Sequence, residues 1–423
     1  MAAVTLPRRA LLCAGLLGLV AALAGCGGNG RLARADVARR PARSDLVPLV
    51  VDAVGAFAGD LLAGVPAGGN VVCSPYSVLV ALAMVRHGAT GATAEEMDDV
   101  LRLPSPPLLA AGLNALDQAL ATRAGRRRNA AGTSASVVID LANRVWGQRG
   151  LVWEPAFLET LAASYGTGVA EVDIASDPEG ARRAVNDWVA AQTHERITGL
   201  MPAGSVTGDT RMVLANALYV RAPWHEALVP AGSLTFAAPD GPVTVSALGA
   251  TLARGGMVGA GWRAARVPLA GQELAWTVVR PDRDLADLRA RLRGDGLTRL
   301  LRTAPDTATA LRMPPLRVRS ELDLIALLRA LGMPRLFDPG CAELDALTRS
   351  EALHVSAVRH QGWLALDAEG LEAAAATGVS VSAVSAPAVE LQVVLDRPYL
   401  ACLHDVATAL PLLVVQVNDP GPT

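Results

Sequence analysis

From about Leu46 onward, apolar positions alternate between a three-to-four-residue spacing and an every-second-residue spacing, with no internal repeat. Residues 46–65 set Leu46, Val50, Val54, Phe57, Leu61 and Leu62 near one face, and that spacing predicts a helix. In residues 70–97, NVVCSPYSVLVALAMVRHGATGATAEEM, a short apolar strand runs into Ser74-Pro75. Pro suits the first turn of a helix, where a backbone N–H has no partner to lose. Gly88 can close that helix, and Thr93 with Glu96 three residues later reads as a capping box opening the next.

A second pattern stands out at 371–383. As a strand, one face carries Leu371, Ala373, Ala375, Thr377, Val379 and Val381, and the other Glu372, Ala374, Ala376, Gly378, Ser380 and Ser382. The split is apolar against polar or small, as for a strand buried on one side. Yet its first half is nearly all Ala, a poor strand former. Alone, the segment reads equally as a loop that can become a strand or as an edge strand beside a linker.

The N-terminus is a processing signal. Arg8 and Arg9 precede an apolar stretch, Ala10 to Ala22, too short for a membrane anchor. Leu23-Ala24-Gly25-Cys26 then resembles the bacterial lipoprotein box, which implies removal of residues 1–25 and acylation of Cys26. An ordinary secretory signal is the alternative, and either Sec or twin-arginine export fits. Residues 26–45 are Gly-, Ala- and Arg-rich and read as a flexible tether. The expected location is the outer face of the cell membrane, or the medium if the lipid is not added.

Basic and acidic residues nearly cancel, 38 against 40, so no global field argues for nucleic acid. There is no Lys, which removes P-loop and Schiff-base chemistry. No apolar run after residue 26 reads as long enough to span a bilayer. Cys73, Cys341 and Cys402 remain, an odd number without C-x-x-C spacing, against a disulfide framework or zinc site. His194, His225 and His360 carry no ligand spacing, and G-x-S-x-G, H-E-x-x-H and Walker motifs are missing. No metal, cofactor or enzymatic activity is expected.

The 70–97 segment closely resembles the opening helices of serpins, and the resemblance recurs over nearly all of 46–423. VNDWVAAQTHERITGLMP (185–202), VLANALYVRAPW (213–224) and LDLIALLRALGMPRLFD (322–338) resemble successive family segments. LHVSAVRHQGWLALDAEGLEAAAAT (353–377) resembles the signature leading into the reactive loop, and DRPYLACLHD (396–405) a later strand. The resemblance implies an α+β serpin fold, about nine helices around three β-sheets, over 46–423. It also implies an exposed reactive loop at about 368–390.

In inhibitory serpins that loop carries the bond a protease attacks, then inserts into the main sheet and stalls the acyl-enzyme. By resemblance the hinge is Gly370, Leu371, Glu372, Ala373, Ala374, Ala375, Ala376 and Thr377. Leu371 stands where inhibitory members have Thr or Ser, and Ala368 replaces an acidic residue. Ser74, Ser77, Asn216 and His360 match the "shutter" under the parting strands, where His360 is structural; Trp224 matches the "breach" where insertion starts. Counting forward from Gly370 puts the reactive bond at Val384-Ser385, and counting backward from Asp396 favours Pro387-Ala388. Arg123 and Arg126 to Arg128 lie near where some serpins bind sulfated polysaccharides, although a solvated surface loop is the preferred account of such a run.

The expected function is covalent, single-use inhibition of an extracellular serine protease, with a cysteine protease as a further target. Val384 would favour elastase- or subtilisin-like enzymes. A non-inhibitory serpin-fold binding protein is the alternative, and a lipid-anchored hydrolase a distant third. A monomer is expected.

Overall fold

Val47–Gly64 is helical (α1), as its spacing predicts, and Val50, Val54, Phe57 and Leu61 are fully buried. The computed structural model describes residues 31–103, 105–372 and 388–421. Contrary to expectation, α1 with the turn before it is long and apolar enough to cross a membrane. Most of it is nonetheless buried against α2 (Pro75–Arg86), α4 (Pro106–Ala121) and α8 (Gly296–Arg302), which makes it a core helix. The described residues hold nine α-helices, completed by α3 (Gly91–Leu101), α5 (Pro155–Thr160), α6 (Pro178–Gln192), α7 (Leu285–Leu292) and α9 (Leu324–Leu331).

Helix α2 opens as anticipated: the Ser74 hydroxyl accepts from Ser77 N at 3.2 Å, with Pro75 in the first turn. Such a cap contributes about 1 kcal/mol. The capping box expected at Thr93 is not formed. Helix α3 starts at Gly91, so Thr93 already lies in its first turn. The cap comes from a distant segment instead: Glu343 Oε2 accepts from Thr93 N at 3.1 Å, and Thr93 Oγ1 accepts from Glu343 N at 3.1 Å. Glu96 turns away to accept from Arg335 N at 2.9 Å. A free N–H at a helix N-terminus attracts any carboxylate within reach, and tertiary structure supplied a different one.

An eight-stranded sheet carries the site. Its order is β1 (Arg31–Ala33), β5 (Val169–Val172), β4 (Ser134–Gln148), β6 (Met212–Pro223), β14 (Gly370–Leu371), β13 (Ala357–Leu366) and β12 (Leu316–Asp323). The eighth strand, β3 (Gly125–Arg128), pairs with the start of β4. The second sheet has nine strands. It runs β15 (Leu391–Val394), β11 (Thr307–Met313), β8 (Gly241–Gly259), β9 (Trp262–Pro268) and β10 (Leu274–Pro281). It continues through β16 (Tyr399–Asp405), β17 (Pro411–Val417) and β2 (Val71–Cys73), with β7 (Val229–Ala238) on β8. The third sheet expected is thus continuous with the second: β8 pairs with β7 and β11 early and with β9 over Gly256–Gly259.

The eight-stranded sheet is buried on both faces. One face packs on α2 and on β2 of the second sheet in the main core, which includes Leu214, Leu218, Ala222 and Leu371. On the other, Val185 and Val189 of α6 pack on Ala142, Val213, Ala215 and Ala217.

The expected tether is anchored from Arg31. Strand β1 pairs antiparallel with β5, and a Cβ at Gly168 would meet the Ala33 carbonyl at 2.2 Å, which explains the glycine. Arg39 Nε donates to Asn114 Oδ1 at 2.9 Å, and Arg40 N donates to the Ala163 carbonyl at 2.8 Å. Composition missed this docking because it uses backbone pairing and polar contacts rather than apolar burial. The basic cluster is likewise committed: β3 is a hairpin strand, Arg123 reaches buried Asp405 at 2.6 Å, and Arg127 reaches Glu273 at 3.1 Å. Cys73 and Cys402 are buried thiols and Cys341 is exposed.

Candidate functional site

Strands β6 and β13 run parallel and pair at one end only, from Ala357 against Val213 to His360 against Asn216. At the other end β14 lies between them, with Leu371 facing Ala222 on β6 and Leu366 on β13. Leu366 and Ala222 therefore keep the register that sets His360 against Asn216. Between the two ends, Ala217–Arg221 and Gln361–Ala365 form no ladder with each other among the described residues. Among the described residues, the slot between these two segments lies in line with β14 and is one strand wide where β14 sits.

The closed end is pinned by the four residues assigned to the shutter, which the structure brings together. His360 Nε2 accepts from Ser74 N at 3.0 Å, so Nδ1 carries the proton and donates to Asn216 Oδ1 at 2.7 Å. The Ser74 hydroxyl donates to Ser77 Oγ at 3.1 Å. All four are buried. A fifth residue, Asn143, escaped the sequence reading: it faces Asn216 from β4. Asn143 Oδ1 and Asn216 Nδ2 are buried without hydrogen-bond partners. A lone Asn in a strand carries no periodic signal, so only the register reveals it.

The open end is built around Trp224, 2 % exposed, whose Nε1 donates to the Asp367 carbonyl at 2.9 Å. Its own N–H donates to the Glu369 carbonyl at 2.9 Å. Asp367 Oδ1 accepts from the N–H groups of Glu369 and Gly370 at 3.0 and 3.1 Å. These bonds form a tight corner that aims the chain at the slot. Gly370 is required there: its φ is +155°, and a Cβ would meet the Ala222 carbonyl at 2.5 Å. Leu371, expected as the first side chain to enter, is already seated, 1 % exposed within the main core. Ala368 packs at the edge of the same core, and its carbonyl accepts from Leu228 N at 2.9 Å.

Ala373 to Thr377, Val384, Ser385, Pro387 and Cys26 lie outside the described residues. Ala388 is exposed, and two residues on, Glu390 N donates to the Ala308 carbonyl at 3.0 Å as the chain joins β15. Among the described residues no three His, Cys, Asp or Glu side chains are grouped to hold a metal.

Burial holds His360 neutral, its pKa lowered from 6.5 to about 4. The unfolded chain takes up this proton near pH 6.5 and the folded one refuses it until about 4, so native stability falls with pH across that window. His87 adds to the same trend, lowered to about 4 by burial and then by the Arg86 charge. His360→Gln should lose less stability than the wild type between pH 6.5 and 4, by up to about 3 kcal/mol. Urea midpoints across that range check this, and parallel pH profiles for the two proteins would contradict it.

Known proteins share both the sequence pattern and this architecture. Residues 52–420 match the family described as Serpin (serine protease inhibitor). The chain is 29 % identical over 373 residues to the leukocyte elastase inhibitor of Sus scrofa, covering 83 % of this chain and 93 % of that protein. It is 30 % identical over 346 residues to Serpin B9 of Homo sapiens, covering 78 % and 88 % respectively. Among solved structures, the thermophilic serpin tengpin in its native state superposes with a TM-score of 0.79 at 20 % identity, covering 92 % of this chain and 99 % of tengpin. The slot, the four-residue closure beneath it and the match over residues 52–420 agree: this chain belongs to the serpin family.

Proposed function

We propose that this protein traps an extracellular serine protease covalently, by inserting its cleaved loop into the slot between β6 and β13. The observation that carries this reading is the register of β14. Continued down the slot, it sets Ala373, Ala375, Thr377, Val379 and Val381 on the face Leu371 already uses, toward the main core. Glu372, Ala374, Ala376, Gly378 and Ser380 then face α6. Apolar side chains enter the core, and the small ones meet the crossing helix.

The same register brings Thr377 between Asn216 and His360 and Val381 opposite Met212, where β6 begins. Val384-Ser385 would emerge just past the end of the sheet, carrying an acyl-linked protease the full length of the slot. Pro387-Ala388 fits less well, because hinge length limits how far the inserted strand can reach and the forward count from Gly370 ends at Val384-Ser385. About ten newly paired residues at ~1 kcal/mol net each rival the stability of a whole domain, enough to distort the captured enzyme. Val384 suits a shallow apolar pocket and offers nothing to a pocket with a buried carboxylate, which favours elastase- or subtilisin-like targets over trypsin-like ones. The elastase inhibitor among the relatives is consistent with that preference.

One observation favours a second reading, a non-inhibitory member acting as a surface binding protein: the hinge carries Leu371 instead of a small hydroxyl residue. Incubation with subtilisin and trypsin separates the two. The inhibitory reading expects an SDS-stable complex with subtilisin only, a released peptide starting at Ser385, and a thermal midpoint raised by tens of degrees after clean cleavage. Cleavage without complex, and an unchanged midpoint, would leave the non-inhibitory reading.

We also propose that the protein is held at the outer membrane face by a lipid on Cys26, on the strength of Leu23 to Cys26 following an apolar run. Cys26→Ser should shift the mature protein from the detergent phase to the aqueous phase; equal aqueous partitioning of both forms would reduce the location to secretion.

A further inference from the structure

The seated hinge stops abruptly. Glu372 N still donates to the Ala365 carbonyl at 3.0 Å, continuing the ladder by one bond. Its backbone then leaves the extended region, with φ at +47° on a residue that has a Cβ. For β14 to lengthen by one residue, that torsion must return to the extended range.

The Glu372 side chain has an opposing attachment. Its carboxylate is paired through Oε1 with Arg196 Nε and is only 10 % exposed, while Oε2 has no hydrogen-bond partner. The Arg196 guanidinium also lies 5.1 Å from the Trp363 ring centroid, a cation–π contact on β13, one wall of the slot. The Tyr219 hydroxyl borders the same carboxylate from β6, the other wall, its pKa pushed up to about 12 by burial first and then by the Glu372 charge.

Arg196 is itself firmly presented. It follows α6, whose apolar face crosses the sheet, on a turn where His194 and Glu195 both adopt positive φ, at 48° and 62°. Thr193, fully buried, braces the turn by accepting from Ile197 N at 3.1 Å. His194 is tied to Asp140 on β4 at 2.8 Å, with its ring 4.5 Å from that of Tyr219.

We propose that Arg196 is a hinge latch: by gripping Glu372 it holds the backbone out of the extended conformation, arrests the growing strand at Leu371, and sets the rate at which the loop inserts. This rests on the insertion reading above. Arg196 acts through Glu372 and touches no substrate, so it is a positioning residue. The latch couples entry of the loop to α6, which covers the path the inserted strand takes.

The test uses the full-length mature protein and Arg196→Ala, Arg196→Lys, Glu372→Gln and the exchange Arg196→Glu/Glu372→Arg. Each is warmed uncut below its unfolding temperature, and conversion to a heat-resistant inserted form is timed. The thermal midpoint after clean loop cleavage is measured in parallel. Loss of a half-exposed ion pair together with a cation–π contact should speed conversion about tenfold in Arg196→Ala and Glu372→Gln. Arg196→Lys should fall between, and the exchange should slow conversion back toward the wild type. Cleaved midpoints should be alike in all five proteins, which a merely structural role for Arg196 does not predict. Conversion within twofold of wild type in Arg196→Ala, with a normal rise in midpoint on cleavage, overturns the latch and leaves insertion standing. No rise in any protein, the wild type included, overturns insertion and the latch with it.

Discussion

The hydrogen bond from His360 Nδ1 to Asn216 Oδ1 joins β6 to β13, the two strands that the proposed insertion would part, so the proposal needs it to be both present and breakable. With imidazole and amide both neutral, such a bond contributes about 0.5–1.5 kcal/mol net. A buried imidazolium in its place would cost several kcal/mol to accommodate. Burial keeps the ring neutral, and the Ser74 N–H fixes which nitrogen donates. The closure is therefore specific in geometry and modest in energy, as a partition opened once requires. The unpartnered Asn216 amide and Asn143 carbonyl beside it leave unused capacity that an arriving Thr377 hydroxyl could take up.

Above that closure, each feature of the slot follows from admitting one strand. The Asp367 corner and Gly370 aim the chain between Ala222 and Leu366 because no side chain fits where Gly370 meets the Ala222 carbonyl. Leu371 seals the entrance by filling the core, so apolar burial retains the hinge where it sits. Glu372 opposes further entry through its ion pair to the turn after α6. Retention and arrest thus sit on adjacent residues.

Much of this was legible in the sequence where the signal was local or periodic. The Ser74–Pro75 helix start and the α1 face each depend on spacing alone, and family resemblance then gathered Ser74, Ser77, Asn216 and His360. Features set by tertiary proximity were not legible. Thr93 carries a capping pattern, yet Glu343 reached the helix end first. Residues 31–40 bury little apolar surface, yet their backbone completes a sheet edge. Arg196 and Asn143 are ordinary surface-type and strand residues until α6 and the β4 register bring them to the site.

The central claim is that residues following Leu371 complete the sheet between β6 and β13. Hydrogen–deuterium exchange of the full-length protein, before and after cleavage of the loop by subtilisin, tests it most directly. Ala217–Arg221 and Gln361–Ala365 form no ladder with each other in the uncut protein, and a strand between them gives each a new row of partners. The account predicts that amides in both segments, together with those of 373–381, become strongly protected after cleavage. Unchanged exchange in both wall segments, with 373–381 exchanging freely in the cut protein, would contradict it.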